Sequence, residues 1–108
     1  MKIPETLQVG GIEWIIKFHP EDFQNRSNQT MIANVDFRWG IINISENVHN
    51  ELTDMMFLHE VTHIIDYTMG YLTDDRDPES MPITDKNVEL RAQLWLQVIK
   101  QLMMEEEV

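Results

Sequence analysis

The sequence predicts an α+β domain: a small, mostly antiparallel sheet of three to four strands packed on two long helices. Three observations predict it. Alternation with period two fills much of the first 45 residues, the mark of strands with one face buried. From about residue 48 it gives way to helical spacing, and no glycine or proline interrupts the chain from Val48 to Met69. Strands first and helices second is the order of α+β folds. The chain has 108 residues, of which 43% are hydrophobic, so one domain over residues 1–108 with a single core is expected.

The elements follow in order. In "ETLQVGGIEWIIKF", Leu7 and Val9 alternate up to Gly10-Gly11, a two-residue turn signal. Ile12, Trp14, Ile16 and Phe18 then alternate on the far side, completing a hairpin. "HPEDFQNRSNQT" is polar and reads as a loop with room for one helical turn after Pro20. "MIANV" and "GIINIS", joined through "DFRW", supply two further strands, so the strands occupy about residues 6–45. A helix is predicted over about 48–69, with Leu52, Met56, His59, His63 and Tyr67 on one face and Met55, Leu58, Thr62 and Ile65 beside it. Gly70 is a natural stop, because it can take the left-handed conformation beyond a helix end. Residues 71–84 form an acidic loop with two prolines. A second helix covers about 85–105, capped by Thr84 or Asp85, with Val88, Ala92, Trp95, Ile99 and Leu102 as its apolar stripe.

Composition excludes several functions. The net charge of -11 with only eight lysines and arginines gives no cationic surface for phosphates, so a nucleic-acid partner is not expected. No apolar run reaches the roughly 20 residues that cross a bilayer, and the N-terminus lacks a secretory signal. Cysteine is absent, so any metal site is built from His, Asp and Glu, and no oxidising compartment is required. A cytoplasmic monomer is the expectation.

"HEVTH", residues 59–63, carries the chemistry. Residues four apart sit one turn apart on the same helix face, so His59 and His63 can point at one ion. Glu60 is turned about 100° away and can reach toward a water on that ion. This is the physical content of H-E-x-x-H: two metal ligands and a general base on one helix. Zinc needs a third protein ligand. A Gly and a His placed as in H-E-x-x-H-x-x-G-x-x-H are absent, since Asp66 and Met69 hold those positions. Asp66 is roughly 10 Å along the axis from His59, better placed to orient a neighbour than to bind. The second helix offers Glu89, one turn inside and next to the small Ala92. Asp85 is the main rival, followed by Asp77 and Glu79 in the loop.

At "HEVTHIIDYTMG" the chain resembles the gluzincin branch of the zincin metallopeptidases, and "ELRA", Glu89 to Ala92, is similar to the E-x-x-A context of their glutamate ligand. In size and layout it looks like the small single-domain minigluzincins of bacteriophage and bacterial genomes. The resemblance covers roughly residues 6–103. It implies that His59, His63 and Glu89 bind Zn2+ and that Glu60 is the general base. It also implies that an edge strand holds an extended peptide substrate, with Gly40, Ile41, Ile42, Asn43 and Ile44 as the candidate. Thermolysin-like enzymes carry an aspartate four residues after the glutamate ligand. Here that position is Gln93, so Asp66 or the Gln93 amide is expected to support the histidines. An oxyanion-stabilising group would come from His49, Tyr67, Tyr71 or Arg38.

The expected function is that of a zinc-dependent hydrolase acting on a peptide or protein substrate. The alternative is a zinc-stabilised binding or regulatory protein without turnover.

Overall fold

The computed structural model of the protein describes residues 1–25, 27–70 and 85–106. It is α+β. Strands β1 (Thr6–Val9), β2 (Ile12–His19), β5 (Ala33–Asp36) and β6 (Ile41–Ser45) form one sheet in the order β1-β2-β6-β5. Strands β3 (Phe23–Gln24) and β4 (Thr30–Met31) form a separate two-stranded hairpin. Helices α1 (Asn50–Thr68) and α2 (Asp85–Glu106) follow.

The Gly10-Gly11 turn joins β1 to β2 as predicted, in antiparallel register from Thr6 opposite Ile15 to Val9 opposite Ile12. Gly10 is at φ +62°, and an added Cβ would come within 2.8 Å of the Thr68 methyl, so this corner of the hairpin rests on the end of α1. Strands β5 and β6 pair antiparallel through the turn at 37–40. The sheet is thus mostly antiparallel, as expected, with one parallel pair at its centre. There β2 and β6 run parallel, from Ile15 opposite Ile41 to His19 opposite Ser45, so the sheet is mixed. The chain between them crosses over by way of β3, β4 and β5. No helical turn follows Pro20. Asn25 folds that segment instead, its side-chain carbonyl accepting from the backbone N–H groups of Ser27 (2.9 Å) and Gln29 (3.0 Å).

One core unites sheet and helices: Leu7, Val9, Trp14, Ile16, Ile42 and Ile44 from the strands, Phe57, Val61, Ile64 and Ile65 from α1, and Leu94 and Val98 from α2. Each large apolar side chain buried there contributes about 1.5–3 kcal/mol. The helices are turned from their predicted faces. Helix α1 buries Phe57, Glu60, Val61, Ile64 and Ile65, leaving Met55, Leu58 and Thr62 exposed and the histidines at the margin. Helix α2 buries Leu94 and Val98, while Ala92 and Ile99, predicted to face inward, are exposed. The helical period was right in both. Near-continuous apolar residues gave it more than one face to choose from, and packing against the sheet selected this one. The predicted loop 71–84, including the Thr84 cap, lies outside the described residues.

The two edges of the sheet are finished differently. Alternate residues of a strand direct their backbone groups toward one neighbour, and the intervening residues direct theirs away. The Ile16 N–H bonds to the Glu5 carbonyl, which sets the outward groups along this edge as those of Thr6, Gln8 and, just past β1, Gly10. Those of Gln8 and Gly10 are taken up by α2. Gln101 accepts from the Gln8 N–H (2.8 Å) and donates to its carbonyl (2.7 Å), while Gln97 accepts from the Gly10 N–H (2.9 Å). On the opposite edge, the Ser45 N–H bonds to the Ile32 carbonyl, so the outward groups of β5 belong to Ala33 and Val35. Among the described residues no strand pairs with that side.

Candidate active site

The site is a groove between α1 and the edge strand β5. Its volume is about 380 Å³, and it is lined by Met31, Ala33, Asn34, Val35 and Phe37 on one side and Met56, His59, Glu60 and His63 on the other. The i, i+4 spacing brings the two imidazoles together with Nε2 atoms 3.1 Å apart and ring planes at 79°. Two imidazole nitrogens on one tetrahedral zinc ion stand about 3.3 Å apart. The separation is compatible with one shared ion, and without an ion the two rings are hydrogen-bonded to each other. Burial and the neighbouring His59 lower the pKa of His63, against the opposing pull of Asp66. A neutral imidazole is the form that binds a metal.

Glu60 is only 5% exposed. Burial alone pushes its carboxyl up from 4.5 to about 7. A carboxyl at that value exchanges protons readily near neutral pH, which is what a general base requires.

Asp66 lies one turn beyond His63, where its charge favours protonation of that ring. It also pairs with Arg91 at 3.5 Å, joining α1 to α2. Sequence reading treated Arg91 only as a spacer in "ELRA". The signal was a lone cation opposite a half-buried aspartate, legible only once the helices are placed side by side.

Other predicted residues are distributed differently. Glu89 is exposed, and at 100° per residue it lies about 200° around α2 from Arg91, away from α1. Among the described residues no group of three or more His, Cys, Asp or Glu gathers closely enough to hold a metal ion. Gln93 is likewise exposed and about 200° from Arg91, so it does not support the histidines. The side chain of Asp85, and Asp77, Glu79 and Tyr71, lie outside the described residues. Tyr67 stacks on Phe37 at 4.8 Å, at the groove wall. His49 precedes α1, about 15 Å along the axis from His59. Arg38 lines a second cavity that shares Met31, Asn34, Val35 and Phe37 with the groove.

The substrate-strand expectation needs correction. Gly40, Ile41, Ile42, Asn43 and Ile44 belong to the approach and body of β6, which has β2 on one side and β5 on the other. Its backbone groups are committed to those neighbours, and Ile42 and Ile44 are fully buried. The open edge beside the histidines is β5. Asn43 serves the other face of the sheet, bridging His19 Nε2 (2.8 Å) and Asn34 Oδ1 (2.9 Å). Compared with known proteins, the chain matches no family model, no curated sequence and no solved structure.

Proposed function

We propose that the chain is a zinc-dependent peptidase that hydrolyses peptide bonds of an extended segment bound along β5. One observation carries the reading: converging imidazoles and a buried carboxyl with its pKa near 7 face an unpaired strand edge across one groove. His59 and His63 would hold the ion; Glu89, the third ligand that its "ELRA" context implies, is exposed and turned from α1, so α2 would have to rotate about its axis for that carboxylate to join them. Bound zinc would polarise the scissile carbonyl and lower the pKa of the attacking water. The backbone groups of Ala33 and Val35 pair with the substrate main chain and fix its direction. Met31, Val35, Phe37 and Met56 give the groove apolar walls on which the side chains of a bound segment can pack. A Glu60 carboxylate oxygen accepts the proton of the attacking water and delivers it to the leaving amine nitrogen. The cytoplasm is the proposed setting, on the absence of cysteine. Among the described residues no helix is long and apolar enough to cross a membrane.

The test is zinc content by elemental analysis together with mass-spectrometric profiling of a digested peptide mixture. We expect one zinc per chain, cleavage that stops on chelation, and loss of zinc in Glu89→Ala. Unchanged zinc affinity in Glu89→Ala would remove that ligand from the assignment. Zinc-free protein with unaltered stability would overturn the metal reading altogether.

A second reading is a zinc-stabilised binding or regulatory protein of phage or bacterial origin, which would need two further protein ligands beside the histidines to close the site. It expects chelation to lower the melting temperature with no cleavage at any zinc level.

A further inference from the structure

Strand β5 separates two cavities of different chemistry. Ala33 and Val35 turn toward the core, so Asn34 and Asp36 turn to the sheet face away from the helices. The groove with the histidines lies on the first side and has apolar walls. On the other side a cavity of about 400 Å³ is lined by Asn25, Ser27, Asn34, Asp36 and Arg38, and shares Met31, Asn34, Val35 and Phe37 with the groove. The Asn34 amide is oriented from inside the sheet. Asn43 Nδ2 donates to Asn34 Oδ1 (2.9 Å), which leaves the Asn43 oxygen facing His19 Nε2 (2.8 Å). That ring nitrogen therefore carries the proton joining the two, and the ring itself rests on Phe23, 4.5 Å between centroids. Turned over, Asn34 would set its NH2 group against that of Asn43. Its nitrogen rather than its oxygen is thus left for the edge, and no hydrogen bond occupies Asn34 Nδ2 among the described residues.

We infer that a segment bound along β5 presents a neutral hydrogen-bond acceptor, the amide of an asparagine or glutamine, to Asn34, between apolar side chains that enter the groove. The inference rests on the reading that an extended peptide pairs with β5, and adds the class of sequence it takes. An added strand repeats the alternation of the strand it joins. Side chains beside Ala33 and Val35 enter the groove, and the one beside Asn34 lies on the far face, with Cβ atoms about 5 Å apart. There it meets the Asn34 NH2 group, a donor. Arg38, its guanidinium carbon 5.7 Å from the centre of the Trp39 ring, brings further donors to the same cavity. A side chain that cannot accept leaves Nδ2 covered and unpaired, and a site built around such a donor discriminates against it. A carboxylate also accepts, but the net charge of -11 opposes an anionic segment. Asn34 is thus a specificity-determining residue, with Asn43 and His19 as its positioning residues.

Binding of labelled peptides to the full chain carrying Glu60→Gln, so that no probe is consumed, tests it. Peptides of about ten residues alternate valine with threonine, one central threonine being replaced by glutamine, glutamate, methionine sulfoxide or methionine. The sulfoxide is a neutral acceptor with no donor, and methionine is the same side chain without the oxygen. Fluorescence anisotropy should give a Kd about five- to tenfold lower for glutamine and the sulfoxide than for methionine. Glutamate should bind less tightly than glutamine in about 0.1 M salt and approach it in about 1 M. Two isosteric variants should abolish the preference for sulfoxide over methionine by different routes. Asn34→Asp keeps the bond from Asn43 but offers only acceptors to the edge. Asn43→Asp accepts from His19 and from a reversed Asn34, which then turns its oxygen to the edge. Ile15→Asp adds the same charge to the same face two strands inward, and should leave the preference as in the parent. Equal binding of sulfoxide and methionine by the parent, or a preference retained in Asn34→Asp or Asn43→Asp, would overturn the inference and leave peptide pairing standing. Glutamate bound more tightly than glutamine at low salt would overturn the neutral amide in favour of an anion. Failure of every peptide to bind would remove the pairing itself, and this specificity with it.

Discussion

The edges of the sheet face the same physical problem and meet it in opposite ways. A strand edge exposes unpaired N–H and C=O groups, which invite pairing with another chain. On β1 the outward groups of Gln8 and Gly10 are covered by the amides of Gln101 and Gln97, two side chains one helical turn apart that act as a short mimic of a neighbouring strand. On β5 the outward groups of Ala33 and Val35 meet no such cover among the described residues, and a groove with two histidines and a buried glutamate lies beside them. The lesson is that this small domain closes one edge with side chains of its own second helix and leaves the other open beside the histidines.

Breaking the chemistry at the open edge should give the largest effect. Glu60→Gln should lower peptide cleavage at least about a hundredfold while the protein keeps its zinc, measured by turnover and elemental analysis on the same sample. Retained turnover would remove Glu60 as the base. Breaking the closed edge comes next. Gln97→Ala with Gln101→Ala should cost about 2 kcal/mol in urea denaturation, because the exposed backbone groups of Gln8 and Gly10 lose three side-chain hydrogen bonds that water only partly replaces. Turnover per folded molecule should be unaffected.

A comparable stability effect should follow from pH in the metal-free protein. The unfolded Glu60 ionises near 4.5, whereas the folded group holds its proton up to about 7. The folded state therefore keeps a proton that the unfolded chain has lost. Stability is highest below the unfolded pKa, falls as pH rises through that window and levels off above about 7. Glu60→Gln should flatten this decline, a difference on the order of 2 kcal/mol at pH 8 once solvent reaching the groove is allowed for.

A proline substitution sharpens the contrast between the edges directly. Val35→Pro removes an outward N–H without touching the ladder to β6, so the protein should fold and its KM for an extended peptide should rise about tenfold. Gln8→Pro on the other edge should instead cost about 1 kcal/mol of stability and leave KM alone. Equal effects of the two prolines on KM would erase the functional distinction. The smallest change is expected from Asp66→Asn. It removes a partly exposed ion pair worth at most about 1 kcal/mol, and should lower the His63 pKa further in an NMR titration, since Asp66 now raises it.

The helices, the Gly10-Gly11 hairpin and the H-E-x-x-H arrangement were legible because each is encoded within a few neighbouring residues. What lay across the chain was not. The order of strands in a sheet is set by partners far apart in sequence, so β6 could be recognised as a strand and still be misread as an edge. Its residues did carry a clue: "IINIS" is apolar at nearly every other position, with two isoleucines in succession, as suits an interior strand with a parallel neighbour. The burial of Glu60 was similarly hidden. A period of 3.6 residues places His59, Glu60 and His63 relative to one another but does not say which of them turns toward the core. The Asp66–Arg91 contact depends on the rotation of two helices against each other, which their apolar stripes alone left open.

The chain has three tryptophans, and their settings differ enough to matter optically. Trp14 is 1% exposed, its indole N–H has no hydrogen-bond partner among the described residues, and Phe37 and Tyr67 meet it edge-on at 6.0 Å. Trp39 is 65% exposed beneath Arg38. Phe37 also forms part of the groove wall. Trp14 is thus a built-in chromophore one ring away from the place where a substrate would lie, with its emission on the blue side of that of Trp39. Occupation of the groove that shifts Phe37 is read out as a change in the near-ultraviolet dichroism and blue-edge fluorescence of the unlabelled protein.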